Sequence, residues 1–186
     1  IKYCVPEIFP NRDWQNQVMI SAVSGPIPYQ IDLLGKFGHL LDGLNQPNLD
    51  NFVTEAAEYT IRKYNPDLFL IHLTDVDTHR HRYGLDAPEV SEAMRRHDER
   101  LGRFLKALEE TGDMEKTTVV VLGDHCQIDT HTAVYPNFYL KEAGLLSVSE
   151  KGAIQSYEFY AQHCDGCCYI YAGKEMKRRL KKAPKQ

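Results

Sequence analysis

The chain carries little that would mark a secreted, membrane or nucleic-acid-binding protein. Nowhere in its 186 residues does an apolar run approach the roughly 20 residues needed to span a bilayer. The start, IKYCVPEIFP, lacks the basic and apolar regions of a signal peptide and has no initiator Met, so the sequence reads as a piece of a longer protein. A formal net charge of -4 offers no attraction for nucleic acid or an anionic membrane, and neither is expected as a partner. The one strongly basic stretch, KEMKRRLKKAPKQ (174–186), sits at the chain end, where such runs are usually solvated. Cysteine is scarce and oddly placed: Cys4, Cys126, Cys164, Cys167 and Cys168 are five in number with three bunched together, unlike a secreted disulfide framework. Reduced thiols in a cytoplasmic location are the expectation. No internal repeat or low-complexity tract is present.

What is there has an ordinary globular balance, 42% hydrophobic and 26% charged, enough for a single domain with one sizeable core. Residues 1–49 are rich in Pro, Gly, Asn and Gln and read as loop, with IDLLGKFGHLLDGL as a short helix interrupted by Gly35 and Gly38. From Asp50 the pattern sharpens. Val53, Ala56, Ala57, Thr60, Ile61 and Tyr64 form a helical face closed by Asn65 and Pro66. LFLIHL (68–73) reads as a strand covered on both faces in a parallel sheet. A helix opening at Pro88 then carries the stripe Val90, Met94, His97, Leu101, Phe104, Leu105 and Leu108. TTVVVLG (117–123) is a second buried strand by composition. PNFYLKEAGLL is helical, CYIYA (168–172) strand-like, and a further helix begins near Lys174. Strands alternating with helices predict an α/β fold, a mostly parallel sheet with helices on both faces. In such sheets ligands bind beyond the carboxyl ends of the strands.

Two clusters lie there. In TDVDTHRHRYG (74–84), Asp75, Asp77, His79 and His81 occupy every second position; a strand would put all four on one face, a helical turn would pair Asp77 with His81 and Asp75 with His79. The second cluster is Asp124 with His125 in GDHCQ. Carboxylate oxygens with neutral imidazoles suit Zn²⁺, Mn²⁺ or Fe, and two clusters at neighbouring strand ends could hold two ions about 4 Å apart. Either motif alone is weak, since Asp-x-x-x-His is common in helices and Asp-His often only caps one.

The two motifs in order, DLFLIHLTDVDTHRHRYG and then TVVVLGDHCQ, resemble the nucleotide pyrophosphatase/phosphodiesterase (type I phosphodiesterase) family of the alkaline phosphatase superfamily. In that family one apolar strand ends in Asp-x-x-x-His-x-x-Gly and a later one in Asp-His-Gly. The resemblance spans about residues 50–145. It implies a partial alkaline phosphatase-like domain over 1–186, with two divalent metals: Asp77 and His81 on one, Asp124 and His125 on the other. Zinc is the first expectation, manganese or iron the alternatives. The implied activity is hydrolysis of phosphodiester or pyrophosphate bonds in small, nucleotide-type substrates through a Thr or Ser nucleophile. Asp75 and His79 match no family ligand and read as a hydrogen-bonding carboxylate and a supporting imidazole. His72 reads as a satisfied core histidine, and His97 and Asp98 as helix packing and surface.

The sequence departs from the family pattern at Val76, where Pro is common, and at Cys126, where Gly is usual. No nucleophile is evident either: Thr54 and Thr60 lie in a predicted helix and Ser21 and Ser24 in loop-rich sequence, so the nucleophile is expected upstream of Ile1. His131 and His163 lack the His-Gly context of a further family ligand. Other superfamily activities share these ligands, namely phosphomonoester, phosphonate and sulfate ester hydrolysis and phosphoglycerate mutation. A catalytically silent metal-binding segment is a further alternative, as is a zinc or redox module built on His163, Cys164, Cys167 and Cys168. A sheet cut at its edge also predicts self-association through exposed strands.

Overall fold

A computed structural model of the chain describes residues 3, 4, 25–164 and 166–182. They fall into two compact units, Ile1–Asp129 and Thr130–Gln186.

The first unit is helical. Helix α1 spans Ile27–Phe37, with a proline in its first turn, where the missing N–H costs nothing. It runs through Gly35 and stops at Gly38, so only the second of the two expected glycine interruptions ends it. Helix α2, Asn48–Tyr64, ends where Asn65 takes up a left-handed conformation (φ 40°) that Pro66 prevents from returning to helix. After a short helix α3, Asp75–Tyr83, helix α4 covers Pro88–Thr111 and closes on Gly112 at φ 73°.

Helix α2 uses two faces. Phe52 and Ala56 pack with Tyr29 and Leu33 of α1, and the buried Tyr29 hydroxyl shares a 2.6 Å hydrogen bond with Thr60. Ala57 and Ile61 pack with Phe104 and Ala107 of α4. Alanines at both seams let the helices approach closely. The buried positions of α4 are Val90, Ala93, Arg100, Phe104 and Ala107, whereas Met94 is exposed. The stripe is therefore rotated from the expected one. Hydrophobicity alone undercounts this face, because two small alanines and a buried arginine lie on it.

The two expected parallel strands are corrected here. Neither 68–73 nor 117–123 joins a ladder; the hydrogen-bonded sheets among the described residues are two antiparallel hairpins, both in the second unit. Phe69, Ile71 and Leu73 pack on the α2–α4 core, while Leu68 and Leu70 are 79% and 83% exposed. That alternation is the period of extended chain with one face covered. Val120, Val121 and Leu122 are exposed as well. β-Branched, apolar composition favours an extended course locally, but a ladder needs a partner some 4.8 Å away, which no local pattern supplies.

In the second unit, α5 (Pro136–Glu142) precedes hairpin β1–β2, Leu146–Val148 with Ile154–Tyr157. Hairpin β3–β4 pairs Phe159–Cys164 with Cys167–Ala172, and α6 spans Lys174–Lys182. The Asn137 side chain clamps α5 to β3, accepting from the N–H of Ala161 and donating to its carbonyl at 2.8 Å each. No helix among the described residues is long and apolar enough to cross a membrane.

Phe104 joins α2 and α4 in one cluster, so Phe104→Ala is expected to cost about 3–5 kcal/mol. A urea unfolding midpoint unchanged from wild type would contradict that placement.

Candidate metal centre

The site is built outward from a buried ion network. Asp50, in the first turn of α2, accepts the backbone N–H of Thr74 at 3.1 and 3.0 Å and that of Asp75 at 3.0 Å, thereby capping α3 from another helix. Asp75 has no exposed surface. Arg96 grips it with two bonds, Nε to Oδ2 at 2.7 Å and Nη2 to Oδ1 at 2.9 Å, and Arg100 adds a third at 2.8 Å. Arg100 also donates to Asn51 at 3.0 Å and lies 3.6 Å from Asp50. Burial alone would raise the Asp75 carboxyl pKa, but the two guanidiniums outweigh it and hold the group below its ordinary value. His97, beside this network, is pushed down by burial, with Asp50 opposing.

Asp50, Asp75 and His97 bring three donor atoms within 4.8 Å of one another, which would suit a cation by distance alone. Their electrostatics say otherwise. Two carboxylates face two guanidiniums, and both Asp75 oxygens already accept charged hydrogen bonds. The cationic place is taken by arginine, so this cluster is structural.

With its start fixed, α3 settles the geometry of the first motif as helical. Asp77 and His81 lie one turn apart, with His81 Nε2 3.5 Å from Asp77 Oδ1. That oxygen is buried and, among the described residues, accepts no hydrogen bond. Asp75 and His79 form the other i, i+4 pair, but His79 Nδ1 is engaged by Asp75, at 2.8 Å from its carbonyl oxygen and 3.0 Å from Oδ1. Gly84 stops the helix at φ 89°, ψ 171°, a conformation open essentially to glycine alone, which explains the glycine of the motif.

Asp124 and His125 sit outside helix and strand and are more than half exposed. Asp124 Oδ1 accepts the N–H of His125 at 3.0 Å, turning Oδ2 toward His125 Nε2 at 3.6 Å. His125 Nδ1 lies 3.3 Å from the Cys126 carbonyl oxygen. A proton on Nδ1 satisfies that contact and leaves Nε2 with its lone pair available. Separations of 3.5 and 3.6 Å exceed a hydrogen bond. They lie at the upper end of the edge of a tetrahedron around zinc, about 3.3–3.6 Å when nitrogen and oxygen ligands stand about 2.0–2.2 Å away. The spacing at both pairs, and the orphaned oxygen at the Asp77 pair, suit candidate ligands for a divalent cation. Among the described residues the two pairs do not merge into one group of donors within 4.8 Å, so they stand as two separate candidate pairs.

Thr54 and Thr60 are fully buried, and their hydroxyls donate to the carbonyls of Asp50 and Ala56 at 2.6 Å, which removes both as nucleophiles. Ser21 and Ser24 lie outside the described residues. His131 and His163 belong to the second unit. The β3–β4 register pairs Cys164 with Cys167 and His163 with Cys168. Successive cross-strand pairs point to opposite faces, so the four cannot close around one ion. One expectation is reversed: His72 is not a core histidine but is 55% exposed, its Nε2 3.8 Å from Asp124 Oδ2. Being two residues from Leu70, it shares the uncovered face. The roles of Asp50, Arg96 and Arg100 carried no motif signal, because buried ion pairs follow from tertiary contact.

Two separate Asp/His pairs held clear of the core first define a protein with candidate ligands for divalent cations. The model of the type I phosphodiesterase / nucleotide pyrophosphatase family matches residues 1–182, and the chain belongs to that family. No curated protein and no solved structure matches the chain significantly.

Asp75→Asn is expected to cost about 3–5 kcal/mol at neutral pH, since it leaves buried guanidiniums without their anion. The Asp75 pKa is lowered in the fold, so its contribution is complete above the unfolded value, about 3.9, and is lost as pH falls through the folded value. The difference in melting temperature between wild type and Asp75→Asn is thus expected to be full at neutral pH and to close below about pH 4. A difference independent of pH would contradict the network.

Proposed function

We propose that the protein acts in metal-dependent hydrolysis of phosphodiester or pyrophosphate bonds in small, nucleotide-type substrates. The observation that carries this reading is the spacing of the two pairs, Asp77 with His81 at 3.5 Å and Asp124 with His125 at 3.6 Å, in a chain of the type I phosphodiesterase / nucleotide pyrophosphatase family.

Asp77 and His81 would hold one divalent cation and Asp124 and His125 the other, zinc by ligand type, with manganese or iron also compatible. Such cations supply Lewis acidity toward phosphoryl oxygens and lower the pKa of bound water or hydroxyl. The protein's own part is to present deprotonated donors in fixed places. Helix α3 sets the Asp77–His81 offset, and the Cys126 carbonyl orients the His125 ring. All four side chains serve as ligands, none as a proton shuttle. The attacking oxygen is assigned to a Thr or Ser upstream of Ile1.

The test is hydrolysis of an aryl phosphodiester, with the matching monoester as control, by the chain extended upstream and loaded with Zn²⁺ or Mn²⁺. Asp77→Ala and Asp124→Ala are each expected to lower activity by more than the roughly 10–100-fold typical of losing an outer-shell partner of a metal ligand. Undiminished turnover in either variant would overturn the ligand assignment, and a preference for the monoester would overturn the substrate class.

A further inference from the structure

Asp124 faces two imidazoles, not one. Its Oδ1 is committed to the backbone N–H of His125, and its Oδ2 stands 3.6 Å from His125 Nε2 and 3.8 Å from His72 Nε2. His72 lies far from Asp124 in sequence, at the end of the apolar run 68–73. The covered face of that run, Phe69, Ile71 and Leu73, is anchored on the α2–α4 core. The alternation that half-buries those three residues turns His72 outward. A packed segment therefore brings the imidazole to the carboxylate, whereas the hydrogen bond that Asp124 makes within its own segment is to its neighbour His125.

His72 is not placed as a co-ligand of the same ion. One ion holding both rings would need their nitrogens within about 4.2 Å of each other, twice a zinc–nitrogen distance. Yet Asp124, His125 and His72 do not form a group whose donor atoms all lie within 4.8 Å. The two imidazoles thus approach Oδ2 from different directions. With the Nδ1 proton directed at the Cys126 carbonyl, the His125 side has a lone pair available for a cation, and the His72 side can steady the carboxylate. The 3.8 Å gap is longer than a hydrogen bond, and with both side chains more than half exposed a small rotation or one bridging water closes it.

Resting on the metal reading proposed above, we infer that His72 is a positioning residue of the Asp124–His125 centre: its ring N–H engages Asp124 Oδ2 and fixes the carboxylate in the rotamer that meets a cation beside His125 Nε2. Histidine and carboxylate partners of this kind orient metal ligands, and losing one typically weakens metal binding by about 10–100-fold.

The experiment is a Zn²⁺ titration against a chromogenic chelator, run in a His81→Ala background so that the signal comes from the Asp124 centre. Circular dichroism and thermal melting on every variant verify that it is folded. His72→Ala is expected to weaken Zn²⁺ binding about 10–100-fold. His72→Gln, whose amide nitrogen can reach the place of Nε2, is expected to restore most of it. Asp124→Asn separates the two claims. If it abolishes binding while His72→Ala leaves affinity unchanged, or if His72→Gln is as weak as His72→Ala, the role of His72 is overturned and the metal reading stands. Zinc affinity that survives Asp124→Asn overturns both.

Discussion

The first unit depends on one buried charge arrangement, Asp75 between Arg96 and Arg100 with Asp50 alongside. Taking four charges out of water is expensive, and such a cluster is tolerable only when every lone pair and proton finds a partner. Here both Asp75 oxygens accept guanidinium bonds, Asp50 takes the first amides of α3, and Arg100 reaches Asn51. Arginine suits the place because its planar fork makes several directed bonds at once, which a lysine ammonium could not reproduce with Asp75. The network draws one residue or more from each of α2, α3 and α4, so it fixes three helices with one set of contacts. Apolar packing holds α2 against α4, but α3 carries little apolar surface of its own. Polar contacts locate it instead.

From that fixed start the first candidate pair follows by helix geometry. Once Asp75 opens α3, Asp77 and His81 must share a face one turn apart, and Gly84 must end the helix because the chain leaves in a conformation closed to other residues. The neighbouring pair, Asp75 and His79, has the same spacing but a different fate. Burial and arginine contact convert the Asp75 carboxylate into an anchor, while Asp77, nearer the surface, keeps one oxygen without a donor among the described residues. Two identical i, i+4 patterns on one helix thus divide into support and candidate ligands according to what packs against each.

The sequence disclosed those features that arise from local periodicity. The α2 helix, its end at Asn65 and Pro66, the opening of α4 at Pro88, and the strand ending at Ala172 all lie close to where pattern and turn chemistry put them. What it hid depends on non-local partners. Arg100 is among the least exposed residues, yet no hydrophobic stripe would include it, since only the distant Asp50 and Asp75 make its burial tolerable. The runs 68–73 and 117–123 have the composition of buried strands but lack a hydrogen-bonded ladder among the described residues, because composition selects an extended course and says nothing of a partner. The same gap misplaced His72: it would be a core residue if both faces of its segment were covered, and only one is.

The two candidate ligand pairs differ in how much of their order is supplied in advance. Asp77 and His81 stand on a helix whose first turn is tied into the most buried polar cluster of the unit, so a cation meeting them need not pay to arrange the backbone. Asp124 and His125 stand on an exposed segment, kept in place by contacts between adjacent residues such as the His125 N–H to Asp124 and the His125 ring to Cys126. Ordering that segment is a cost that binding must offset there. Each pair offers two donors to an ion that takes four in a tetrahedral shell, leaving the remaining positions to water, to a phosphoryl oxygen or to further protein groups. A half-filled shell on a rigid helix and a half-filled shell on an adaptable segment are unequal places for a cation. On this reasoning the α3 pair is the preorganised element of the candidate centre, and the Asp124 pair is the element whose geometry depends on further contacts, the proposed one from His72 among them.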